Sequence, residues 1–521
     1  MFVRVIKGKS REYVCIVRGF RDAEGKVKQR VVKNLGPVTE ETKEALIESG
    51  RKLALHLQAE NGEVVTSGEE ISETVREHWG APKVVDALWN KFSFNEQFNS
   101  EATVQAIKLM LTERFLSPSS KLQAFNNRNK YQEFKDVRLE NLYRALDVLH
   151  DNKDNLQTHI FNKQKLYGSI DVAFFDVTTL YFESKKVDDL RNFGFSKDCK
   201  FNDVQIVLSL ITNSEGRPLT YEIFPGNTFE GKTLVTCLER LKQKFKINKV
   251  IIVADRGIGS HSNLEEIKKA GFEYIIGSRL RSSNKATQEE ALSKKGYQPL
   301  FSDNEDSIKY KIITSNHKND TQELLCLWSK KRSDKDRADR TRLVEKAQEM
   351  VSNGITEDKR GAKKYLSLQN KNKATAMLDQ KKIDRDASFD GYYALNFSSK
   401  DLSAKEITSA YHQLWRIEES FRTMKSFFET RPMFHWKSKR ISGHIMLNFI
   451  SLILEVDLEL TLKNKGISCT HENIRQALGG MQRSVLKIGK GVFYIYTKLD
   501  EMQKDILKTL GISLPQNSRA G

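Results

Sequence analysis

Residues 249–255 read KVIIVAD, and the run Val250, Ile251, Ile252, Val253, Ala254 decides the fold class. Five successive apolar residues without alternation mark a strand covered on both faces, the pattern of a parallel strand inside an α/β sheet. Asp255 follows at once. A carboxylate therefore stands at the carboxyl end of a buried strand, where ligands collect in open α/β sheets, and Gly257 and Gly259 would let a backbone approach there. The other reading of Asp255 is an aspartate that opens the next turn, an ordinary role for that residue.

Outward from this strand the pattern continues. Upstream, YGSIDVAFFDVTTLYFES (167–184), DVQIVLSLIT (203–212) and PLTYEIFPG (218–226) read as three strands, the last two joined by a turn at Asn213-Ser214-Glu215-Gly216. LVTCLERLKQKF (234–245) and NLEEIKKAG (263–271) read as helices and FEYIIGSR (272–279) as a further strand. The order βββαβαβ is a meander followed by crossover units, which predicts a mixed sheet flanked by helices. Asp176 sits like Asp255, after Val172, Ala173, Phe174 and Phe175 and before Thr178 and Thr179. Asp171 precedes the same apolar run and falls at the opposite strand end, so position favours Asp176; for Asp176 too, a plain strand-ending polar residue is the alternative.

Downstream, AKEITSAYHQLWRIEESFRTMKSFF (404–428) predicts one long helix. Ile407, Tyr411, Leu414, Glu418, Phe421, Lys425 and Phe428 step by three or four and would share a face. Glu418 then falls within an apolar stripe, where a carboxylate is costly unless a cation or strong hydrogen bonds neutralise it. Its neighbour Glu419 points toward the polar side. The alternative for Glu418 is a surface contact with Arg422 one turn on, worth only tenths of a kcal/mol.

Composition narrows the partner. The chain has 521 residues, with 86 Lys and Arg against 68 Asp and Glu, a formal charge of +18. That length predicts two to four domains, and a charge of that sign and size favours a polyanion, nucleic acid foremost. Cys15, Cys199, Cys237, Cys326 and Cys469 are scattered and form no metal-site spacing, which predicts a reduced, cytoplasmic protein. The apolar stretch His444–Leu454 is too short to span a membrane and reads as a core helix ending at Glu455.

The domain reading is a small β unit over 1–38, containing a basic hairpin around Glu24-Gly25, and a helical domain over 39–164 that would bind DNA ends. A catalytic core follows over 165–280 and 400–460, interrupted by a β-containing insertion over 281–399. The C-terminal region, 461–521, is expected to serve dimerisation and to end in a disordered PQNSRAG. Within the insertion, Lys330–Arg342 carries both signs of charge and reads as a solvated helix rather than a DNA rail.

Three carboxylates on two strand ends and one helix, in a basic protein, suit phosphoryl transfer on nucleic acid. Magnesium takes oxygen ligands and keeps several waters, so a few carboxylates plus substrate phosphates hold it. Two such ions about 3.5–4 Å apart can clamp the attacking and leaving oxygens of an in-line displacement.

At YHQLWRIEESFRTMK (411–425) the sequence resembles the insertion-sequence DDE transposases, whose third acid lies in a Tyr-x2-Arg-x3-Glu-x6-Lys helix signature. Tyr411, Glu418 and Lys425 match its Tyr, Glu and Lys, while Leu414 stands at the Arg position, a departure that Arg416 or Arg422 would have to offset. The resemblance implies a ribonuclease-H-like core in which FFDVTT carries the first Asp and VADRG the second. Asp176, Asp255 and Glu418 would then be the catalytic and metal-binding acids, with Mg2+ as cofactor and Mn2+ able to substitute. Asp255 lies 79 residues beyond Asp176, and Glu418 lies 163 beyond Asp255, room for the insertion. GNTFEGKTL (226–234) is similar to the loop that precedes the second acid in such enzymes.

The resemblance further implies that Tyr411, Lys425, Arg256 and Arg422 contact DNA and that the protein works as a homodimer on paired element ends, with target DNA as second substrate. Trp328 would stack on a flipped base or, alternatively, pack in the core; Tyr411 and Lys425 likewise have packing roles as alternatives. The rival functions are a catalytically inactive, transposase-derived DNA-binding protein and a nuclease of the same fold that hydrolyses without joining strands.

Overall fold

Near-continuous burial along residues 172–181 marks a strand covered on both faces, which sets the layers of the larger unit. The structure, a computed structural model, describes all residues except 23, 61–70, 169, 196–201, 248, 301–307, 318–319, 353–360, 369–375, 489–490 and 520–521. The chain divides into two compact units, Gly80–Gly479 with Glu501–Ile512, and Met1–Trp79 with Gly480–Asp500 and Ser513–Gly521.

The larger unit is built on one mixed nine-stranded sheet. Its strands are β1 (Val172–Tyr181), β2 (Gln205–Asn213), β3 (Pro218–Pro225), β4 (Ile251–Ala254), β5 (Glu273–Ser278), β6 (Gln298–Pro299), β7 (Ile308–His317), β8 (Asp320–Ser329) and β9 (Tyr392–Phe397). They lie in the order β6-β7-β8-β9-β5-β4-β1-β2-β3. β1 pairs in parallel with β4, and β4 with β5, while β1, β2 and β3 form the antiparallel meander that the turn signals predict. At that turn Gly216 takes φ 87°, which favours glycine.

The two faces of this sheet are covered by different helices. Ala173, Phe175 and Val177 of β1, Ile252 and Ala254 of β4, and Tyr274 and Ile276 of β5 join one core with Leu234 and Leu238 of α1 (Glu230–Glu239) and Leu264 and Ile267 of α2 (His261–Lys269). Because side chains alternate, Phe174, Asp176, Val253, Asp255 and Gly277 belong to the opposite face. There lie α4 (Ala404–His412) against β4 and β5, and α5 (Trp415–Arg422) against β1 and β2, while α6 (Ser438–Asn464) packs on β3; α3 (Lys330–Ser352) precedes them in the chain.

Several expectations are corrected. Residues 404–428 do not form one helix: the amides of Gln413, Leu414, Arg416 and Ile417 bond three residues back, which tightens the turn and breaks the rod between α4 and α5. A π-helical turn, Thr423–Phe427, then ends it. The apolar stripe is therefore not continuous. α5 buries Ile417, Ser420 and Phe421, and Glu418 is exposed. The apolar helix α6 runs 27 residues, well past Glu455. The strands read within 281–399 do not stand apart, since β6 to β9 extend the central sheet.

In the smaller unit, Phe2–Lys7, Glu12–Arg21 and Val27–Pro37 form an antiparallel meander. Its second turn has Gly25 at φ 79° and the Asp22 carboxylate accepting from the amides of Glu24 (3.0 Å) and Lys26 (2.9 Å), which is the basic hairpin read from sequence. The unit boundary falls at Trp79 rather than residue 38, because Ile71–His78 pairs with Gln482–Ile488, 404 or more residues away. Glu77, 1% exposed, receives Arg483 Nε at 2.9 Å across that pair. In the tail expected to be disordered, Ser518–Arg519 pairs with Phe493–Tyr494, while residues 520–521 lie outside the described residues. Cys15, Cys237, Cys326 and Cys469 are free thiols, and Cys199 lies outside the described residues. Among the described residues no helix is long and apolar enough to cross a membrane.

One buried ionic knot ties α6 to the meander. Asp457 is fully buried and receives Arg217 Nη1 at 2.9 Å and Lys91 Nζ at 2.5 Å. Removing the acid leaves the buried Arg217 guanidinium with only the more exposed Glu215 carboxylate, 3.0 Å from its Nε, so Asp457→Ala is expected to cost about 3 kcal/mol, read as a lowered urea midpoint; a midpoint unchanged from wild type would refute the role.

Candidate active site

One strand end and one mid-strand position set the site: Asp255 follows β4, while Asp176, expected at a strand end, stands in the middle of β1, which runs on to Tyr181. In the parallel register Phe175 pairs with Ala254, so Asp176 and Asp255 are the next residues in step on adjacent strands, on the face that α4 and α5 cover. Adjacent strands run about 4.8 Å apart, which brings the two aspartates side by side from 79 residues' distance. Asp171, the rival, stands at the other end of β1; its carbonyl accepts from the amide of Ile251 at 2.9 Å, where β4 begins.

Asp255 and Glu418 line one open cavity of about 870 Å³, together with Arg256, Tyr411 and Leu414. Both acids are exposed to it. Asp176 does not line this cavity. Its carboxylate turns back to accept from its neighbour Val177 N at 2.7 Å, and Asp255 does the same with Gly257 N at 2.6 Å. Among the described residues no three His, Cys, Asp or Glu side chains draw together closely enough to hold a metal ion. The donor set nonetheless suits a hard cation, being oxygen-only, open, and able to take further oxygens from a phosphate.

Tyr411 is positioned from below. Gly277, the residue of β5 in step with Asp255, passes so close to the ring that a Cβ there would stand 2.5 Å from Tyr411 Oη and 3.2 Å from Arg256 N. Burial, then the negative charge of Asp255, pushes the Tyr411 phenol above its ordinary value. The hydroxyl therefore stays protonated and can donate to an anion at neutral pH.

Not every expected DNA contact gathers here. Arg422 and Lys425 lie further along and do not line the cavity. Arg416, one candidate to replace the signature arginine, donates to the Glu215 carbonyl at 2.7 Å and lines a separate cleft with Glu419. Trp328 is half-buried, with its indole nitrogen against Gly391.

Two comparisons with known families bear on this arrangement. Residues 167–454, more than half of the chain, match the family described as the transposase DDE domain, a span that includes both aspartates and Glu418. The chain belongs to the DDE transposases. Residues 3–68, within the smaller unit, match the N-terminal domain of the IS1634 family of transposases. No curated protein matches the chain. Among solved structures, the chain is similar to a piggyBac transposase synaptic complex with hairpin DNA determined by cryo-electron microscopy, at 10% identity over 77% of each chain with a TM-score of 0.37, a likeness too slight to carry an argument.

Sequence reasoning missed one wall of this transposase's cavity. Lys331, Arg332, Lys335 and Asp336 of α3 line it too, and the Arg332 guanidinium lies 4.7 Å from the Tyr393 ring centroid. Mixed charge made α3 read as solvated. The spacing carried no such signal, since at about 100° per residue Asp339 falls between Lys335 and Arg332 on the same face; Asp334 and Asp339 pair with Lys330 and Arg342.

Because Gly277 leaves no room for a methyl group beside Tyr411, Gly277→Ala is expected to displace the ring and lower DNA cleavage by about 10²-fold with the fold intact. Cleavage rates alongside circular dichroism check this; wild-type rates would show that the tyrosine's position is immaterial.

Proposed function

We propose that the chain cuts the ends of a DNA element and transfers the resulting 3′-hydroxyl strands to target DNA, with Asp176, Asp255 and Glu418 as the catalytic acids of a ribonuclease-H-like core. The observation that carries this reading is the placement of the two aspartates in step on neighbouring parallel strands, on the sheet face packed by the helix of Glu418. The meander followed by two parallel crossover strands supports the core assignment.

In this reading Asp176, Asp255 and Glu418 would hold divalent ions, Mg2+ with Mn2+ as substitute. Such ions, when bound, neutralise charge on the scissile phosphate and make the attacking oxygen more nucleophilic. The protein's own groups do the rest. Tyr411 donates its hydroxyl to a phosphate oxygen near the acids, and Arg256 adds a cation beside Asp255. Lys331, Arg332 and Lys335 draw in the DNA backbone along the same cavity, supplying the positive charge that Leu414 does not. Arg422 and Lys425 contact the flanking duplex outside the cavity. The amino-terminal sheet, whose strand Val27–Pro37 exposes Lys28, Arg30 and Lys33, engages the element's terminal repeats, and two copies assemble on paired ends.

Asp176→Asn, Asp255→Asn and Glu418→Gln are each expected to reduce metal-dependent cleavage of end DNA by about 10³-fold or more, since each removes several kcal/mol of charge stabilisation. Duplex binding should stay within about twofold, because phosphate contacts made elsewhere dominate affinity. Full cleavage by any one variant would remove that residue from the assignment. Joined strand-transfer products from wild type distinguish a transposase from a nuclease, and wild-type binding without cleavage would mark an inactive derivative.

A further inference from the structure

The segment 429–444, between the π-helical turn and the buried part of α6, closes a cavity of about 530 Å³ that the site above does not use. Its floor is cationic. Arg114 and Lys121 are 4% and 5% exposed, Lys121 Nζ lies 3.1 Å from His444 Nδ1, and Arg114 Nη1 donates to the Phe428 carbonyl at 2.7 Å. Arg431, Lys437 and Arg440 add charge around the wall, against the single lining carboxylate of Glu429. Among the described residues no carboxylate pairs with Lys121.

A buried cation without a counter-charge is costly. Its effects are felt across the cavity. Burial and then the Arg114 charge push the Lys121 ammonium well below its ordinary value; burial and then Lys121 push His435 down to about 3 and lower His444 as well. Every group in the floor resists further positive charge, and an anion seated among them would relieve all of them together.

The rim is aromatic. Phe434 and Trp436 are 67% and 66% exposed, with the Arg191 guanidinium 5.7 Å from the Trp436 ring centroid. Exposed rings of this kind are stacking platforms for unpaired bases. The cavity is also tied to the strand of the first acid: the Met433 amide donates to the Tyr181 carbonyl at 3.3 Å and the Arg431 guanidinium lies 5.5 Å from the Tyr181 ring, at the end of β1 beyond Asp176.

We propose that this cavity is a second DNA-contact site, in which Arg114, Lys121 and Arg431 take one backbone phosphate of a single-stranded segment while Trp436 and Phe434 stack its base. The inference rests on DNA being the partner, and on nothing about the catalytic acids. A free phosphate shares the floor chemistry but has no use for the rim.

The test uses the full chain in EDTA, so that no cleavage occurs, titrated separately with a 5′-phosphorylated oligothymidylate of four nucleotides and with inorganic phosphate. The oligonucleotide is expected to quench tryptophan fluorescence in wild type and far less in Trp436→Phe, where the reporting indole is gone. Trp436→Ala and Lys121→Gln should each weaken binding by about tenfold, and Lys121→Gln should lower the salt slope by about 0.7. If Lys121→Gln fails to fold, the exposed substitutions Trp436→Ala and Phe434→Ala decide alone. Phosphate binding as tightly as the oligonucleotide and indifferent to Trp436→Ala would overturn the DNA contact in favour of a free-phosphate site; equal oligonucleotide affinity in wild type and Trp436→Ala, or no binding of either probe, would overturn the proposal. Asp255→Asn should retain the quench. Loss of cleavage in wild type with the quench intact would count against the proposed catalysis and leave this site standing.

Discussion

The structure depends on the parallel pairing of β1 with β4, in the register that sets Phe175 opposite Ala254. Both strands are buried on both faces, so neither can slip by one residue without turning its core side chains toward the wrong layer. Phe175 and Ala254 enter the core under α1 and α2, and the next residue of each strand is then held on the opposite face, under α4 and α5. Packing therefore fixes where the two aspartates stand, and the acids themselves add little to the energy that fixes them.

Helix breaks complete the arrangement. A straight rod from 404 to 428 would have kept Tyr411 and Glu418 on one stripe and buried the glutamate. The three-residue hydrogen bonds around Gln413 and Leu414 rotate the second helix so that Ile417 and Phe421 face the core and Glu418 faces the cavity. An exposed carboxylate needs no buried partner and stays open to the cavity. The same break leaves Tyr411 on the first helix, half-buried over Gly277, where its phenol stays neutral.

Charge is organised on a larger scale than any single motif. Asp255 and Glu418 share one cavity with Lys331, Arg332, Lys335 and Asp336 of α3, while cations of the 429–444 segment surround a second. The net charge of +18 expresses this arrangement only as a total.

Sequence by itself determined the strand meander, the buried strand ending in Asp255, the strand that carries Asp176 though not its extent to Tyr181, the helix bearing Glu418 and the basic balance, because burial and strand period are written in local residue order. The family signature around Tyr411 and Glu418 was legible for the same reason. Tertiary structure alone decided that β6 to β9 extend the central sheet, that Ile71–His78 pairs with a strand near the carboxyl terminus, and that three cations of α3 share a cavity with Asp255 and Glu418. It also decided that α5 breaks from α4 and that Lys121 sinks beside Arg114 under exposed aromatic rings. Such outcomes rest on contacts between residues tens to hundreds of positions apart, and local periodicity carries no information about which distant surface a given face will meet.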